Sequence, residues 1–309
     1  MRRFHHPRVT ARRRDWQRMQ ELLTLGHWPA RLAHLLGGQG PVGVSRERFE
    51  LSAPGEQRRL PVAFASDFHA GPCTHPRVLD SACRALAALE APLLLLAGDF
   101  VCVSSRDIRE LAPRLADIPA PLGKFAVLGN HDYWAGAAPV ADALEAAGVR
   151  VLLNESVRLP APYDQVWICG LDDPISGHPD PGAALDGAGG KRIVLMHAPS
   201  GLGLLGERPF ELALCGHTHG GQLALPGSTP LFVPEGPEYR RFAQGRFQLE
   251  RGRSLFVTRG VGYSTVPIRT FCPSEVVALQ LDFVTSPTAV RAQAPAWRAS
   301  HPRQLTRPL

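Results

Sequence analysis

Short apolar runs separated by polar loops dominate the chain after about residue 40. Residues 60–65 (LPVAFA) are predicted to form a buried strand, and GVSRERFELS before them alternates like a half-exposed strand. Helical periodicity marks HPRVLDSACRALAALE and DIRELAPRLADI. Further strands are predicted at PLLLLA, KFAVL, VRVLLN, QVWICG, RIVLMH, ELALCG, SLFVTRG and EVVALQL. Helices concentrate in the first half and strands in the second, which predicts an α/β fold with a mixed sheet, or two packed sheets, and flanking helices.

A different pattern precedes the strands. Trp16, Met19 and Leu23 recur at helical spacing, and a second apolar stretch from Leu25 to Leu36 follows a break near Gly26. We therefore expect residues 1–40 to form a basic, amphipathic N-terminal segment, disordered over residues 1–14. The main domain is expected at 45–285, and the Pro- and Arg-rich residues 286–309 are expected to be a loose tail.

Charge is concentrated at the two ends of the chain. The first 20 residues carry seven arginines and one aspartate, and residues 291–309 carry four arginines and no acid. Since the whole chain of 309 residues nets +6, the body between these ends nets −4. A nucleic-acid enzyme more often carries its basic surface on the folded domain, so nucleic acid is disfavoured as a substrate.

Several features predict a cytoplasmic protein. The six cysteines occur singly, with no CxxC pair, as expected of small buried side chains in a reducing compartment. The twin arginines at the N-terminus have no apolar run behind them, which argues against a secretory signal. No apolar stretch reaches the length of about 18 residues that a membrane span requires.

Metal-ligating residue types follow five of the predicted strands. Ligands of open α/β sheets bind beyond the carboxyl ends of the strands, so these side chains are expected to be neighbours in space. The segments, each directly after an apolar run, are SDFH with Asp67 and His69, GDF with Asp99, GNHD with Asn130, His131 and Asp132, the single His197, and GHTHGGQ with His217 and His219.

Two of these segments place ligand types two residues apart, as Asp67/His69 and His217/His219. In an extended segment such side chains point to the same side, roughly 7 Å apart. Each member of a pair could then serve one of two metal ions about 3.5–4 Å apart. The flanking glycines allow the backbone to turn sharply beside the ions.

The donor set is two carboxylates, four imidazoles and one amide, with no thiolate. It suits divalent transition metals such as Mn, with Fe, Zn or Co also possible, rather than Cu(I) or an iron–sulfur cluster. Two such ions with two aspartates leave a positive site that would attract an anionic phosphate.

The order Asp-x-His, Gly-Asp, Gly-Asn-His-Asp, His, Gly-His-x-His resembles the calcineurin-like metallophosphoesterase family. The resemblance implies a four-layer α/β/β/α sandwich of two mixed sheets, with a binuclear metal site at the strand ends. It implies that Asp67, His69 and His219 bind one ion, that Asn130, His197 and His217 bind the other, and that Asp99 bridges both. By the same resemblance His131 faces the substrate, and Asp132 orients the His131 ring. The implied reaction is in-line attack of a metal-bridging hydroxide on a phosphodiester or pyrophosphate bond.

The sequence departs from the motifs of two other branches of this family, which narrows the branch that it resembles. The Asp-Arg-Gly of Ser/Thr protein phosphatases is missing after Asp99, and so is the tyrosine ligand of purple acid phosphatases. GHTHGGQ, CGLDDP and RGVGYSTVPIRTFCPSEV look most like the membrane-associated bacterial branch, which includes enzymes that cleave UDP-2,3-diacylglucosamine in lipid A biosynthesis. A lipid-linked substrate is therefore expected, with residues 1–36 bound peripherally to the anionic inner face of the membrane. The alternative is that this segment packs on the domain.

Other functions stay open at this stage. They are a cyclic-nucleotide phosphodiesterase, a broad phosphomonoesterase, and a non-enzymatic interaction scaffold on the same fold. Asp172 and Asp173 either support the site or form an ordinary turn. Arg259 and Arg269 either contact phosphate or a lipid headgroup, or form surface salt bridges. Residues 225–242, after the last histidines, form either a rim of the active site or a decorated hairpin.

Overall fold

A computed structural model of the protein describes residues 10–52 and 57–284. Its helices are α1 Ala11–Leu23, α2 Trp28–Leu35, α3 Pro76–Ala88, α4 Ile108–Ala116, α5 Asn130–Ala135, α6 Ala137–Ala146, α7 Pro181–Leu185 and α8 Gly201–Leu205. Its strands are β1 Gly43–Ser52, β2 Arg58–Ala65, β3 Leu93–Leu96, β4 Gly123–Ala126, β5 Arg150–Val151, β6 Glu155–Arg158, β7 Val166–Gly170, β8 Lys191–Leu195, β9 Leu212–Cys215, β10 Ala224–Leu225, β11 Thr229–Pro230, β12 Gly245–Gln248, β13 Ser254–Val257 and β14 Glu275–Val284.

Two mixed sheets form the centre of the fold. The first has the strand order β1-β14-β2-β3-β4-β5 and the second has the order β12-β13-β9-β8-β7-β6. Within them β2, β3 and β4 run parallel to one another, as do β7, β8, β9 and β13. Antiparallel pairs of β14 with β2, β6 with β7 and β12 with β13 make both sheets mixed.

Side-chain alternation along the central strands explains the layers. On β3, Leu93 and Leu95 point into the core between the two sheets, whereas Leu94 and Leu96 point into the core beneath the helices α3, α4 and α6. A third core lies on the outer face of the second sheet, with Leu185 of α7 and Leu205 of α8. Burial on both faces explains why PLLLLA is apolar throughout. The predicted four-layer α/β/β/α sandwich is confirmed.

The predicted strands and helices of the main domain are all present, although VRVLLN is reduced to the two residues of β5. The strands β6 and β12 were not predicted. Both lie at edges of the second sheet, where polar residues are tolerated and the apolar signal is weak. Residues 225–242 do begin with a hairpin, in which β10 pairs with β11.

The N-terminal segment forms two helices, broken at Gly26, which has a φ of 71°. The prediction of disorder over residues 1–14 is wrong from residue 10 onward, because Thr10 caps α1 by accepting a hydrogen bond from the Arg13 N–H. The earlier basic residues and the predicted tail at 286–309 lie outside the described residues. No helix in the described part of the chain is long and apolar enough to cross a membrane.

The two N-terminal helices pack on the domain through their small and polar side chains. Gln17, Ala30 and Ala33 are buried, whereas the large apolar side chains that defined the amphipathic pattern remain exposed. The Gln17 amide donates to the Val103 carbonyl at 2.6 Å, and the Ala30 N–H donates to the Pro72 carbonyl. The apolar face of this segment is therefore not the face that packs on the domain.

Candidate metal centre

The five ligand-bearing segments meet at one edge of the sandwich. Asp67 and Asp99 follow β2 and β3, and Asn130 opens α5 just beyond β4. His197 follows β8, and His217 follows β9 of the second sheet. These strands are parallel within each sheet, so their carboxyl ends bring ligands from both sheets to the same place.

Donor atoms of these residues converge closely. His69 Nε2 lies 3.0 Å from His219 Nε2, and His197 Nε2 lies 3.1 Å from Asn130 Oδ1 and 3.2 Å from His217 Nδ1. Two buried groups of donor atoms result, each within 4.8 Å: Asp67, His69 and His219 in one, and Asp99, His197 and His217 in the other. Both consist of oxygen and nitrogen donors, which fit a divalent transition metal.

Asp99 links the two groups. Its Oδ2 atom lies 3.5 Å from His69 Nε2 and 3.3 Å from His197 Nε2, so a single carboxylate oxygen reaches ligands of both. Its Oδ1 atom accepts a hydrogen bond from the His131 N–H at 2.8 Å. The bridging position that the family resemblance implies for Asp99 is thus geometrically available.

Two of the histidine rings, those of His197 and His217, are held with one nitrogen facing the centre. His197 Nδ1 lies 2.7 Å from the Ala97 carbonyl, and His217 Nε2 lies 2.7 Å from the Pro234 carbonyl. These contacts place the proton on the outer nitrogen and leave the inner one free to bind a cation. Burial lowers the pKa of His217 to about 3 and lowers the pKa of His69 and His219 well below the usual range, which keeps these imidazoles neutral.

Five of the residues have a backbone in the left-handed region, namely Asp67, His69, Asp99, His217 and His219, with φ between 45° and 69°. The prediction that the Asp-x-His and His-x-His pairs lie in extended segments is therefore wrong. The chain turns at each ligand, and Asp67 and His69 consequently belong to one donor group, while His217 and His219 are divided between the two. A left-handed non-glycine residue costs about 1–3 kcal/mol, which neighbouring contacts must offset.

Two glycines allow the ligand loops to approach this closely. A Cβ on Gly216 would lie 2.1 Å from Asp67 Oδ2, and one on Gly129 would lie 2.3 Å from Asp99 Oδ1. The close approach also lets the His217 N–H donate to the Asp67 carboxylate at 3.0 Å. Gly216 and Gly129 are thus required because their loops pack directly against the carboxylates of Asp67 and Asp99.

His131 lies beside the donor groups without joining either of these two. Its Nδ1 atom is 2.7 Å from the Cys102 carbonyl, and its ring lies edge-on to His69 at 4.6 Å between centroids. His69, Cys102 and His131 form a third group of donor atoms within the described residues. Contact with Cys73 and burial hold the pKa of the Cys102 thiol well above its usual range, which disfavours the thiolate as a ligand.

Asp132 has a different role from the one expected. Its carboxylate does not hold the His131 ring; it accepts hydrogen bonds from the backbone N–H groups of Gly129, Phe100 and Val101 at 2.9–3.2 Å. It therefore ties the loop that carries Asp99 to the loop that carries Asn130. His131 is oriented by the Cys102 carbonyl, a backbone contact that no side-chain pattern reveals.

The late arginines and Asp172 make structural contacts within the protein, whereas Asp173 has one buried carboxylate oxygen, Oδ1, without a hydrogen-bond partner among the described residues. Arg259 donates through Nε to the Glu275 carboxylate at 3.0 Å. Arg269 donates to the carbonyls of neighbouring loops and lies 3.1 Å from His219 Nδ1, behind the metal-facing nitrogen. Asp172 accepts hydrogen bonds from the Tyr133 hydroxyl and the His178 N–H. The contact with Tyr133 ties α5 to the loop that follows β7.

Comparison with known proteins identifies the family. The sequence model of the calcineurin-like phosphoesterases matches residues 60–221, which include every residue of the two donor groups. The chain belongs to the calcineurin-like phosphoesterase family. It is a metal-dependent phosphoester hydrolase.

Two bacterial relatives are each about one third identical to this chain. Phosphodiesterase YaeI of Escherichia coli is 33% identical over 71% of this chain and 81% of its own length. An uncharacterized metallophosphoesterase of Aquifex aeolicus is 32% identical over 70% of this chain and 83% of its own. The structure of a 5'-nucleotidase precursor from Thermus thermophilus is 18% identical, with a TM-score of 0.43, over 75% of this chain and 55% of its own.

Proposed function

We propose that the centre holds two divalent transition-metal ions, Mn among the candidates, and hydrolyses a phosphodiester or pyrophosphate bond. Asp67, His69 and His219 would hold one ion, Asn130, His197 and His217 would hold the other, and Asp99 would bridge them. The reach of Asp99 Oδ2 to ligands of both donor groups is the observation that carries this proposal. When bound, the ions would supply Lewis acidity and would lower the pKa of a bound water to about 7.

His131 is suited to act on the departing oxygen. Because its Nδ1–H points to the Cys102 carbonyl, its Nε2 is the nitrogen left for a substrate. Burial lowers the pKa of the free imidazole, and an arriving phosphate anion opposes that shift by favouring the charged form. His131 would then hydrogen-bond a phosphoryl oxygen or protonate the leaving group.

A diester or pyrophosphate is proposed over a monoester because the relative at 33% identity is named a phosphodiesterase. Residues 100–105, after Asp99, carry no cationic side chain in place of the Asp-Arg-Gly of the Ser/Thr protein phosphatases. A cyclic-nucleotide phosphodiesterase and a broad phosphomonoesterase are the competing activities.

A lipid-linked substrate is supported by exposed apolar side chains on two elements near the centre. One set lies on the N-terminal helices, at Leu22, Leu23, Leu25, Trp28, Leu35 and Leu36. The other lies on the loops after His219, at Leu225, Leu231, Phe232, Val266, Ile268 and Phe271. Exposed apolar surface of this extent on a monomer is typical of an interaction site.

The two sets are joined by direct contacts. Gln39, just after α2, donates to the Pro267 carbonyl at 2.9 Å, and a Cβ on Gly38 would lie 3.2 Å from Ile268. The loop with Val266 is in turn tied to the metal centre, since Gln222, three residues after His219, donates to the Val266 carbonyl. These contacts favour one apolar surface beside the metal centre, facing a membrane, with the arginines of residues 1–20 meeting anionic headgroups. The substrate class is then a phosphoanhydride with acyl chains, such as UDP-2,3-diacylglucosamine at the cytoplasmic face.

A substrate panel tests this proposal. Purified full-length protein with added Mn²⁺ would be assayed on bis-p-nitrophenyl phosphate, p-nitrophenyl phosphate, cyclic AMP and UDP-2,3-diacylglucosamine, with Asp99→Ala as the inactive control. We expect hydrolysis of the first and the last, with the highest kcat/KM on the acylated pyrophosphate. Preference for p-nitrophenyl phosphate or for cyclic AMP would replace our proposal by the corresponding alternative.

A further inference from the structure

Arg13 lies against the candidate centre, whereas Arg12 and Arg18 of the same helix are exposed. It stands in the first turn of α1, one helical turn before Gln17, and side chains four residues apart share a helix face. The buried Gln17 amide binds the Val103 carbonyl, in the loop that follows Asp99. This contact fixes α1 over that loop and directs Arg13 toward α5.

The guanidinium of Arg13 stacks on Trp134. Its Cζ atom lies 3.5 Å from the centre of the Trp134 ring, and that ring lies 4.6 Å from the ring of His131. A guanidinium on an aromatic face keeps its N–H groups in the plane, directed outward from the edge of the stack. The cation is therefore held rigidly beside the residue proposed to act on the substrate.

The hydrogen-bonding capacity of Arg13 is not used up by the protein. Its Nε atom is buried and has no hydrogen-bond partner among the described residues. A buried donor without a partner costs free energy, which a ligand that accepts its hydrogen bond recovers. Burial lowers the pKa of Arg13 while Cys102 and Asp99 raise it, so the guanidinium stays charged and is electrostatically coupled to the centre.

We infer that Arg13 is a substrate-binding residue that donates to a phosphoryl oxygen on the His131 side of the centre. The inference rests on the proposed function for the identity of the anion. Arg13 supplies from the N-terminal helix the cation that residues 100–105 lack. An arginine binds phosphate through two parallel N–H groups, which a point charge cannot reproduce. In a pyrophosphate, Arg13 would contact phosphoryl oxygens that the metal ions do not bind.

The same helix carries the exposed apolar side chains on its other side. Trp16, Met19, Leu22 and Leu23 face solvent, while Arg13 and Gln17 face the domain. Residues that are proposed to touch the membrane and a residue that binds the phosphate are therefore part of one rigid element. The N-terminal segment would serve both to attach the enzyme and to complete its substrate site.

The test compares Arg13→Met and Arg13→Lys with Arg12→Met, an exposed arginine one position earlier on the same helix. Methionine keeps the packing on Trp134 and removes the charge. The first measurement is binding of inorganic phosphate to the Mn²⁺-loaded full-length protein by titration calorimetry. We expect Arg13→Met to weaken it by about 10- to 100-fold, Arg13→Lys to recover part of the loss, and Arg12→Met to match the wild type.

Kinetics on bis-p-nitrophenyl phosphate give the second readout. A binding role raises KM by a similar factor with a smaller change in kcat, at unchanged metal content. Phosphate affinity and KM within twofold of the wild type in Arg13→Met would overturn the inference, and so would equal losses in Arg12→Met. If the wild type hydrolyses none of the panel but binds phosphate through Arg13, the proposed function fails and this inference stands.

Discussion

The Nε2 atoms of His69 and His219 lie 3.0 Å apart, although the two residues are 150 positions apart in the chain. When both imidazoles carry their proton on Nδ1, the two Nε2 lone pairs point toward the same place, where a cation would stabilise both. Asp67 Oδ1 lies 3.5 Å from His219 Nε2 and adds the negative charge that such a cation requires. The arrangement is therefore stabilised by metal, and the first prediction concerns its occupancy.

We expect close to two equivalents of transition metal per chain in protein purified without chelators. Asp99→Ala should lose more metal than any other single substitution, because its carboxylate reaches both donor groups. Elemental analysis by plasma mass spectrometry measures this, with the exposed Asp186→Ala as the matched control. One tightly bound metal in a fully active enzyme would contradict a binuclear centre.

His131→Ala should keep its metal and lose about 100-fold or more in kcat, since the His131 ring lies outside the two ligand groups and is proposed to act on the substrate. The loss should be smaller for p-nitrophenyl esters, whose leaving group departs without a proton, than for an alkyl ester. Rates on both substrates, with metal analysis of the same sample, distinguish a loss of leaving-group protonation from a loss of bound metal. A metal-depleted His131→Ala protein would show that the residue is a ligand.

Asp132→Ala should destabilise the fold and weaken metal binding together. The substitution leaves three buried N–H groups without their acceptor, at a cost of about 3 kcal/mol in the free energy of unfolding. It also releases the tie between the Asp99 and Asn130 loops. Chemical denaturation and metal titration measure both effects, with the exposed Asp142→Ala as the control. Wild-type stability in Asp132→Ala would refute this bracing role.

Acid stability should depend on Glu275. Burial alone would raise the pKa of this carboxyl, but hydrogen bonds from Arg259 and Ser45 hold it below the ordinary value of 4.5. A pKa depressed in the folded state stabilises the fold above pH 4.5, and this stabilisation is lost as the pH falls through the folded-state value. Glu275→Gln should therefore cost about 2 kcal/mol at pH 7 and progressively less below pH 4.5.

Denaturation curves between pH 3 and pH 8 would show this convergence of the two proteins. The exposed Glu238→Gln should follow the wild type throughout. A constant difference between Glu275→Gln and the wild type across that range would mean that the Glu275 charge does not contribute.

Membrane binding should depend on the exposed leucines of the N-terminal segment. Leu22, Leu25 and Leu35 are 69%, 71% and 81% exposed, so replacing all three by serine leaves the packing on the domain intact. The triple variant should no longer sediment with vesicles containing anionic lipid and should keep its p-nitrophenyl esterase activity. Deleting residues 1–36 is a poorer test, because it also removes Arg13.

The wild type should bind these vesicles more weakly as the salt concentration rises and should not bind vesicles of neutral lipid. Leu204→Ser, an exposed leucine on α8, is the matched control and should bind normally. If the wild type stays in the supernatant with anionic vesicles, the membrane proposal and much of the case for a lipid-linked substrate are lost.

The strand ends were predictable from sequence, and the geometry around them was not. Apolar runs ending in Asp, Asn or His identify Asp67, Asp99 and His197 because strand burial and sheet direction have local signatures. The left-handed turns at His217 and His219 depend on loop contacts distant in sequence, so alternation along an extended strand was the wrong basis for them. Arg13 was hidden in a basic run, since its packing on Trp134 is what distinguishes it from the exposed Arg12.

The division of the ligands between two sheets also governs when the centre can form in the cell. Asp67, His69, Asp99 and Asn130 follow strands of the first sheet, whereas His197, His217 and His219 follow strands of the second. At about 5–20 residues per second, the ribosome delivers His219 roughly 4–18 seconds after Asn130. Until the second sheet is made, a nascent chain therefore presents only four of the seven proposed ligands, and metal loading is expected to be a late event that awaits closure of the second sheet.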